Sequence, residues 1–476
     1  MPEKAISFKP SLRLLDATMI VAGSMIGSGI FIVSADMARN VGSAGWLIIV
    51  WMITGFMTVT AAVSYGELSG MFPRAGGQYI FLQEAYNRMA AFLYGWSLFA
   101  VIQTATIAAV GVAFSKFSGY FFPILELKNE NILVQLGSLR LYPAQLVSIL
   151  LIVFLTFINT LGIRSGKITQ NIFTITKILL LVGLIILGFM FGSSREVWSA
   201  NWAGGWSLKS IPGTGAGILQ TSVTGGAIFG AIAAAMVGGL FSSDAWNSTT
   251  FIAGEIKNPR RNIGLSMFLG TLMVTVIYVI TNIMYVSVLS VNDIAFAPED
   301  RVAVAASNAI FGNTGNYIVA IMLMISTFGC NNGLILSGAR VFYTMAKDRL
   351  FFKKAGQLNK NAVPGWALWA QCAVASILCL SGKYGDLLDM VAFVVVLFYV
   401  LTIVGIFVLR RTRPGAERPY KAFGYPFLPG LYVIMGIVFC IALIIRKPVY
   451  AGWGLAITLV GIPLYYLSRA RLQQDK

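Results

Sequence analysis

The residues with the greatest capacity for chemistry in this sequence are two charged side chains inside long apolar stretches. Lys177 lies in TQNIFTITKILLLVGLI, and Asp244 lies in MVGGLFSSDAWNSTT. A charge near the centre of a membrane costs roughly 2.5–3.5 kcal/mol on insertion scales, so each of these side chains needs a partner. Charges in such positions are typical of substrate or ion pathways.

Enzyme chemistry and metal binding are not indicated. The 476 residues include no histidine, and the four cysteines all lie in apolar stretches. Histidine is the commonest metal ligand and the usual proton shuttle near neutral pH. We therefore predict no catalytic residue, no metal site and no cofactor. A channel is also disfavoured, because the chain has no repeated filter motif.

Glycine and serine interrupt two of the apolar stretches. VAGSMIGSGIF, at 21–31, holds three glycines and two serines, and the stretch at 236–250 is again rich in small and polar residues. Backbone without helical hydrogen bonds is tolerated at membrane depth only where it is buried in protein or lines a polar cavity. Such interruptions at corresponding positions of two halves indicate a transporter. Close helix packing through Gly23-x-x-x-Gly27 is the alternative.

The chemistry of an interrupted helix suits a zwitterion. The first half-helix ends in free carbonyl groups, and the second begins with free amide groups. We expect the amides of Gly27, Ser28 and Gly29 to bind a carboxylate. The carbonyls of 241–245 would accept hydrogen bonds from an ammonium group.

The elements that must position these residues are membrane-spanning helices. The composition is 57% hydrophobic and 11% charged, against roughly 25% charged in soluble domains. A helix needs about 20 apolar residues to cross a bilayer. The sequence predicts an all-α integral membrane protein with twelve such spans, at 17–38, 44–70, 88–122, 142–162, 168–192, 222–255, 263–289, 316–346, 363–382, 386–409, 427–445 and 450–468.

The chain has a net charge of +17. Its basic residues alternate with the predicted spans and do not form one face, which disfavours a nucleic-acid-binding protein. The basic clusters KNPRR (257–261), KDRLFFKK (347–354) and RRTRPGAERPYK (410–421) fall on one side of the predicted spans. By the positive-inside rule that side is cytoplasmic. We therefore predict a multi-pass protein of the plasma (inner) membrane, with both termini in the cytoplasm.

Two acidic residues lie near predicted cytoplasmic ends of spans. Glu67 and Glu255 could pair with Arg74, Lys257 or Arg260 as an inner gate. Simple solvation at the interface is the alternative interpretation.

The two interrupted spans are the first and the sixth, which suggests two halves of five spans each. With an odd number of spans in a half, the second half enters from the opposite side, giving an inverted repeat. The predicted division is 1–16 (cytoplasmic N-terminus), 17–195 (first repeat), 222–410 (second repeat), 427–469 (last two spans) and 470–476 (cytoplasmic C-terminus).

Five motifs, in order, carry a family resemblance over nearly the whole chain. They are GSMIGSGIF (23–31), GELSGMFPRAGGQYIFLQEAY (66–86), FSSDAWNSTTFIAGEIKNPRRNI (241–263), GARVFYTMAKDRLF (338–351) and LRRTRPGAERPYKAFGYPFLPG (409–430). The sequence resembles the amino acid-polyamine-organocation superfamily, and within it the L-type amino acid transporter branch. The resemblance implies a LeuT-type fold of two inverted five-helix repeats, with helices 1 and 6 broken around the substrate.

The resemblance also implies roles for particular residues. By position, the carboxylate-binding loop is Ile26, Gly27, Ser28 and Gly29. The aromatic residue that closes over the substrate is Phe241. The unwound segment facing the ammonium group is Ser242, Ser243 and Asp244, and Asn332 aligns with a pocket asparagine. Lys177, together with Ser326 or Thr327, takes the place that sodium occupies in other members of the fold.

Asp244 departs from the branch, which commonly has glycine there. It could pair with the substrate ammonium, bind a cation, take up a proton, or cap the half-helix that follows. Lys177 could likewise carry a coupling proton, although a fixed charge is the preferred interpretation.

These observations predict a sodium-independent exchanger or facilitator of neutral L-amino acids, working by alternating access. The alternatives are a proton-coupled symporter and a transporter of cationic amino acids or polyamines that uses Asp244. The expected partners are the amino acid and the lipid bilayer. Animal members of the branch join a heavy subunit through a cysteine between spans 3 and 4. Residues 122–143 have none, so a heavy subunit is not expected.

Overall fold

A computed structural model describes residues 7–126, 129–136, 139–210, 221–380 and 384–474. The described chain is almost entirely helical. The α-helices are α1 (Leu14–Met25), α2 (Gly29–Ile32), α3 (Ser34–Val41), α4 (Ala44–Met71), α5 (Gln78–Ala85), α6 (Arg88–Ser97), α7 (Gln103–Ser118), α8 (Pro143–Thr160), α9 (Ile163–Leu187), α10 (Arg195–Ala203), α11 (Ala227–Ser242), α12 (Ser248–Phe251), α13 (Pro259–Val288), α14 (Val291–Ala295), α15 (Val302–Phe311), α16 (Gly315–Lys347), α17 (Gly365–Leu380), α18 (Tyr384–Thr412), α19 (Phe427–Arg446) and α20 (Pro448–Gln474).

Short elements complete the secondary structure. Leu98–Ile102 and Gly188–Gly192 are π-helical, and the first of them joins α6 to α7 into one long span. The 3₁₀ turns are Pro123–Leu125, Asn129–Asn131, Ala253–Glu255, Pro298–Asp300, Gly312–Thr314 and Lys353–Gly356. Two antiparallel strand pairs lie outside the helices, and they are β1 (Val134–Leu136) with β2 (Leu139–Leu141), and β3 (Lys209–Ser210) with β4 (Thr221–Ser222).

Ten helical segments of the described chain are long and apolar enough to cross a membrane. They coincide with ten of the twelve predicted spans. The sixth and ninth predicted spans coincide with the shorter apolar helices α11 and α17. The predicted sixth span ran to residue 255, but α11 ends at Ser242, because the backbone is unwound beyond it. The count of twelve, and the inverted repeat, remain predictions.

Both predicted interruptions are present. In the first span, α1 ends at Met25 and α2 begins at Gly29. In the sixth, α11 ends at Ser242 and α12 begins at Ser248. The glycine-rich composition therefore marks real breaks in the helices and not only close helix packing.

The broken first span is surrounded by long helices. α1 packs against α9, α13 and α16, and α13 also packs along α4. The α4–α13 contact depends on glycine, because a Cβ atom on Gly264 would lie 3.1 Å from the Cα of Gly66. Two long helices thus approach each other backbone to backbone near the end of α4 and the start of α13.

The orientation of α9 explains how a charge is buried at membrane depth. One face exposes a row of aliphatic side chains spaced by three or four residues, Ile168, Ile172, Ile175, Leu179, Val182 and Ile186. The opposite face buries Gln170, Thr174 and Lys177. Since the apolar face is suited to lipid, the polar face is turned towards the first span.

Two buried acidic residues have partners other than those expected from the sequence. The carboxylate of Glu67 is bonded by Arg410 at 2.6 and 3.0 Å and lies 3.3 Å from Arg418. Glu255 is paired with Arg340 through two contacts of 3.1 Å. The expected pairing with Arg74, Lys257 or Arg260 is wrong, because these acids face inwards, where residues distant in sequence meet them.

Candidate functional site

Lys177 is bonded to the broken part of the first span. Its Nζ donates to the carbonyl oxygens of Gly23 and Ile26, both at 2.6 Å, and to that of Ser326 at 3.3 Å. Its side chain is 1% exposed, and no carboxylate of the described chain pairs with it. The three hydrogens of the ammonium group are thus matched by three carbonyl oxygens. The positive charge is held at the break by backbone dipoles alone.

The helix α16, which is the predicted eighth span, adds a second donor to the same break. The hydroxyl of Ser326 lies 3.1 Å from the carbonyl oxygen of Ile26 and 2.9 Å from that of Gly27. The hydroxyl of Thr327 instead donates to Leu323 in its own helix, at 2.8 Å. Of the two residues predicted from span 8, Ser326 contacts the break directly, and Thr327 lies beside it as a buried residue of α16.

The carbonyls of the first break are therefore already occupied by fixed donors. What remains for a ligand is the start of α2, at Gly29, where the first amide groups of a helix have no acceptor within the helix. Such a helix start favours an anionic group. Binding of a substrate carboxylate at Ile26, Gly27, Ser28 and Gly29 stays a prediction.

The sixth span unwinds through a turn centred on Asp244. The amide of Asp244 donates to the carbonyl oxygen of Phe241 at 3.1 Å, and Ala245 adopts a left-handed backbone, with φ of 64°. The hydroxyl of Ser248 then donates to the carbonyl of Ala245 at 2.6 Å as α12 begins. The residue before α12, Asn247, makes no side-chain capping bond. Asp244, which the sequence also offered as a cap, has a different partner.

Asp244 lies among aromatic residues from α4, from α18 and from its own unwound segment. Its carboxylate accepts a hydrogen bond from the hydroxyl of Tyr399 in α18. The rings of Tyr65 and Trp246 lie edge to face with centroids 4.7 Å apart, and Trp246 lies 5.1 Å from Tyr399. Sequence reasoning did not identify Tyr399, because a tyrosine in an apolar span gives no sign of which neighbour its hydroxyl will meet.

The two breaks touch each other. A Cβ atom on Gly29 would lie 2.0 Å from the Oγ of Ser242, so glycine is required for this approach. The hydroxyl of Tyr278, in α13, lies 3.2 Å from the carbonyl oxygen of Met25 and 3.1 Å from that of Ser242. One side chain from the seventh span therefore joins the ends of both upstream half-helices.

Tyr278 is a positioning residue that the sequence analysis missed. A signal existed, since Tyr278, Asn282 and Tyr285 form a polar stripe on the otherwise apolar α13. The stripe faces the first span: Asn282 accepts from the hydroxyl of Ser34 at 2.6 Å, and Tyr285 donates to Ile30 at 3.3 Å.

Removing the hydroxyl of Tyr278 is expected to impair transport without unfolding the protein. Tyr278→Phe leaves buried carbonyls without a donor, at a cost of about 1–3 kcal/mol. We expect the half-saturation concentration of the substrate to rise about tenfold, because the two breaks lose their mutual alignment. The measurement is concentration-dependent exchange in proteoliposomes, with Tyr317→Phe, an exposed tyrosine, as control. An unchanged half-saturation concentration would contradict the positioning role.

Two small cavities lie on either side of Asp244, and each has a volume of about 20 Å³, room for about one water molecule. The first is mainly apolar, and its walls include Phe241, Ser243 and Val395. The second is polar, with Gln103 and Asn247 in its walls. Neither cavity has room for an amino acid in this conformation. In the part of the chain that the structure describes, no group of three Cys, Asp or Glu residues could hold a metal ion.

Asn332 lies away from both cavities. Its amide donates to the carbonyl of Gly166 at 3.1 Å and to Gln170 at 2.8 Å, and it accepts from Asn159 at 2.9 Å. These bonds tie α16 to α8 and α9, the helices that carry Asn159 and Gln170. In this conformation Asn332 holds the scaffold, and its contact with a substrate stays a prediction.

Comparison with known proteins gives the family. Residues 12–464 match the amino acid permease family. The chain is 29% identical to the mouse b(0,+)-type amino acid transporter 1, over 98% of this chain and 89% of that protein. It is 28% identical to a serine/threonine exchanger of Bacillus subtilis, over 97% of this chain and 98% of that protein. It is also 28% identical to the human large neutral amino acids transporter small subunit 2, over 97% of this chain and 81% of that protein.

The match covers nearly the whole chain, including both broken helices and every motif that carried the resemblance. The relatives are amino acid transporters and not enzymes, which agrees with a site built from backbone groups, one lysine and one aspartate. The chain is a multi-pass membrane protein that belongs to the amino acid permease family.

Proposed function

We propose that this protein is a sodium-independent exchanger or facilitator of neutral L-amino acids. The observation that carries the proposal is Lys177, whose ammonium group is bonded to two carbonyls of the first break and one of span 8. A cation bound there would need the same carbonyl oxygens as ligands. Since a tethered ammonium already satisfies them, transport needs no sodium ion at this place.

The two breaks supply complementary ends of a binding site. The substrate carboxylate binds the amides of Gly27, Ser28 and Gly29, with the charge of Lys177 behind the same loop. The ammonium group binds the carbonyls of the segment Ser242, Ser243 and Asp244. Phe241, in the wall of the apolar cavity, packs against an apolar substrate side chain.

The test is uptake of labelled L-amino acids into proteoliposomes of the purified protein. Each amino acid is supplied with and without unlabelled amino acid inside, and with sodium or proton gradients imposed. We expect uptake of neutral amino acids that is indifferent to both gradients. A requirement for internal substrate would identify an exchanger, and uptake without it would identify a facilitator. Uptake that depends on sodium would overturn the proposal, and uptake driven by a proton gradient into empty vesicles would establish a symporter.

Transport of cationic amino acids or polyamines is a second candidate, favoured by the surroundings of Asp244. A half-buried carboxylate near the rings of Tyr65, Trp246 and Tyr399 is suited to a substrate cation, because aromatic faces attract cations by about 0.5–2 kcal/mol.

The second candidate predicts that Asp244→Asn selectively loses cationic substrates. We expect uptake of lysine and arginine to fall more than tenfold, because a charge-assisted contact contributes about 1.5–3 kcal/mol. Uptake of neutral amino acids should change less than threefold. Tyr399→Phe is the matched control, since it keeps the carboxylate and removes its hydroxyl partner. Equal losses for neutral and cationic amino acids would sink this candidate.

We further propose that the protein acts in the plasma (inner) membrane with both termini in the cytoplasm, and without a heavy subunit. The basic clusters of the sequence support the orientation. The name of one relative identifies it as a small subunit, so the proposal on partners needs its own test. Transport by the purified chain alone, in the proteoliposomes described above, would support it.

A further inference from the structure

We propose that this protein binds the phosphate headgroup of an anionic phospholipid in a basic cavity at the membrane surface. The cavity lies between the end of α4, the start of α13 and the segment that follows α18. It is separate from the transport site around Asp244.

The cavity has a volume of about 180 Å³. Its floor is formed by Gly70, Met71 and Phe72 at the end of α4, and its walls carry the side chains of Arg260 and Arg413. The space is sufficient for a phosphate group, since one water molecule takes up about 30 Å³ of liquid. Two guanidinium groups at its walls match the geometry with which arginine binds phosphate oxygens.

The segments around the cavity are strongly basic. Residues 257–261 and 410–421 contain eight Lys and Arg and only one acidic residue, Glu417. Each basic residue near a membrane surface adds about 1 kcal/mol to the attraction for anionic lipid. This part of the protein therefore attracts an anion before any specific contact forms.

The acidic residues at the cavity are held weakly. Arg260 pairs with Glu417 at 3.0 Å, with side chains 58% and 72% exposed. Arg413 pairs with Glu84 at 2.7 Å, and the arginine is 47% exposed. Exposed ion pairs contribute about 0–1 kcal/mol. A phosphate group can therefore replace Glu417 at Arg260 and Glu84 at Arg413 without a large loss.

The frame of the cavity, by contrast, is firmly built. Beneath it the buried carboxylate of Glu67 is bonded by Arg410 and the amide of Ala422, at 2.6 and 2.7 Å, and it lies 3.3 Å from Arg418. The side chain of Arg418 also bonds the carbonyls of Leu409 and Arg413 at 3.1 and 2.9 Å. These contacts hold the segment after α18 against α4. The backbone that carries Arg413 is therefore fixed in position.

Exposed aromatic residues beside the cavity indicate that a lipid supplies the phosphate. Phe423 is 72% exposed, and Phe427, the first residue of α19, is 82% exposed. They follow Pro419, a residue of the cavity wall, in the chain, and Phe427 begins the membrane-spanning segment Phe427–Ile445. Large apolar side chains at a membrane surface insert among the acyl chains near the headgroups. A headgroup in the cavity would then place its acyl chains along the same surface.

The test titrates the purified full-length protein with phosphatidylglycerol, phosphatidylcholine or inorganic phosphate, and counts bound molecules by native mass spectrometry. We expect saturable binding of phosphatidylglycerol and little of phosphatidylcholine. Arg260→Gln with Arg413→Gln should weaken phosphatidylglycerol binding about 30-fold, from two lost charges. The matched control is Lys353→Gln with Lys354→Gln, which removes the same charge from another exposed segment.

Three outcomes would overturn the proposal. Equal weakening by the arginine pair and the lysine pair would mean attraction by general surface charge. Displacement of the lipid by millimolar inorganic phosphate would mean a site for free phosphate. Should the arginine variants fold poorly, Glu417→Gln provides an independent readout: removing the competing carboxylate should tighten lipid binding about fivefold, and unchanged binding would contradict the site.

Discussion

Replacing Lys177 with methionine is expected to abolish amino acid exchange. Methionine fills a similar volume but removes the ammonium donor from the carbonyls of Gly23, Ile26 and Ser326, of which Ile26 keeps the hydroxyl of Ser326. Each buried acceptor left unpaired costs about 1–3 kcal/mol, and the first break also loses its positive charge. We expect the exchange rate to fall at least 100-fold, with a lower midpoint of thermal unfolding.

The control for this experiment is Lys167→Met, on the same helix. Lys167 bonds the carboxylate of Asp16 at 3.1 Å, but it is partly exposed, so its loss should reduce exchange less than threefold. The measurement pairs counterflow of labelled substrate in proteoliposomes with the unfolding midpoint of each variant. If Lys177→Met exchanged at the wild-type rate, the lysine could not be the fixed charge at the break, and the proposal of sodium independence would lose its support.

The presence of the breaks could be predicted from the sequence, because glycine and serine weaken a helix wherever they cluster. GSMIGSGIF and FSSDAW mark both interruptions, and the helices end within a few residues of these motifs. The inward orientation of the Lys177 side chain could also be predicted, since a charge in a long apolar helix must face the protein interior. These inferences depend on local composition and on the cost of exposing polar groups to lipid.

The partners of the polar side chains could not be predicted in the same way. Tyr278 meets two carbonyl groups that are distant in sequence, and Glu255 meets Arg340. Such pairs depend on the rotation of each helix about its axis, which small shifts in packing decide. Asn332 illustrates the difficulty, because its burial was evident, but its bonds to Gly166 and Gln170 depend on the position of α9.

Alternating access requires that closing contacts on each side can break in turn. On one side, the amides of Ser11 and Leu12 donate to the carbonyl of Glu255 at 2.8 and 2.9 Å. On the other, Arg39 binds Asp300 at 2.6 Å and the carbonyl of Ala295 at 2.8 Å. Each of these two groups of contacts contains two hydrogen bonds, and each hydrogen bond contributes only about 0.5–1.5 kcal/mol net. Substrate binding can therefore shift the balance between the two sides.

The contact between the two breaks yields the last prediction: Gly29→Ala should nearly eliminate exchange. The new Cβ atom would lie 2.0 Å from the Oγ, 2.6 Å from the Cβ and 3.0 Å from the Cα of Ser242. Overpacking of this kind costs about 1–3 kcal/mol or more, and it pushes the proposed carboxylate-binding loop away from the unwound part of the sixth span. We expect a loss of exchange of at least 30-fold.

A second substitution tests whether that contact is the cause. Ser242→Gly in the Gly29→Ala background removes the two nearest atoms and should restore at least a third of the lost activity. Gly27→Ala is the matched control, because its nearest neighbour would be the Sγ of Cys330 at 3.2 Å, a side chain that can move slightly. Exchange should then fall less than fivefold. If Gly29→Ala were as active as Gly27→Ala, the breaks would not approach each other during transport as they do in this conformation.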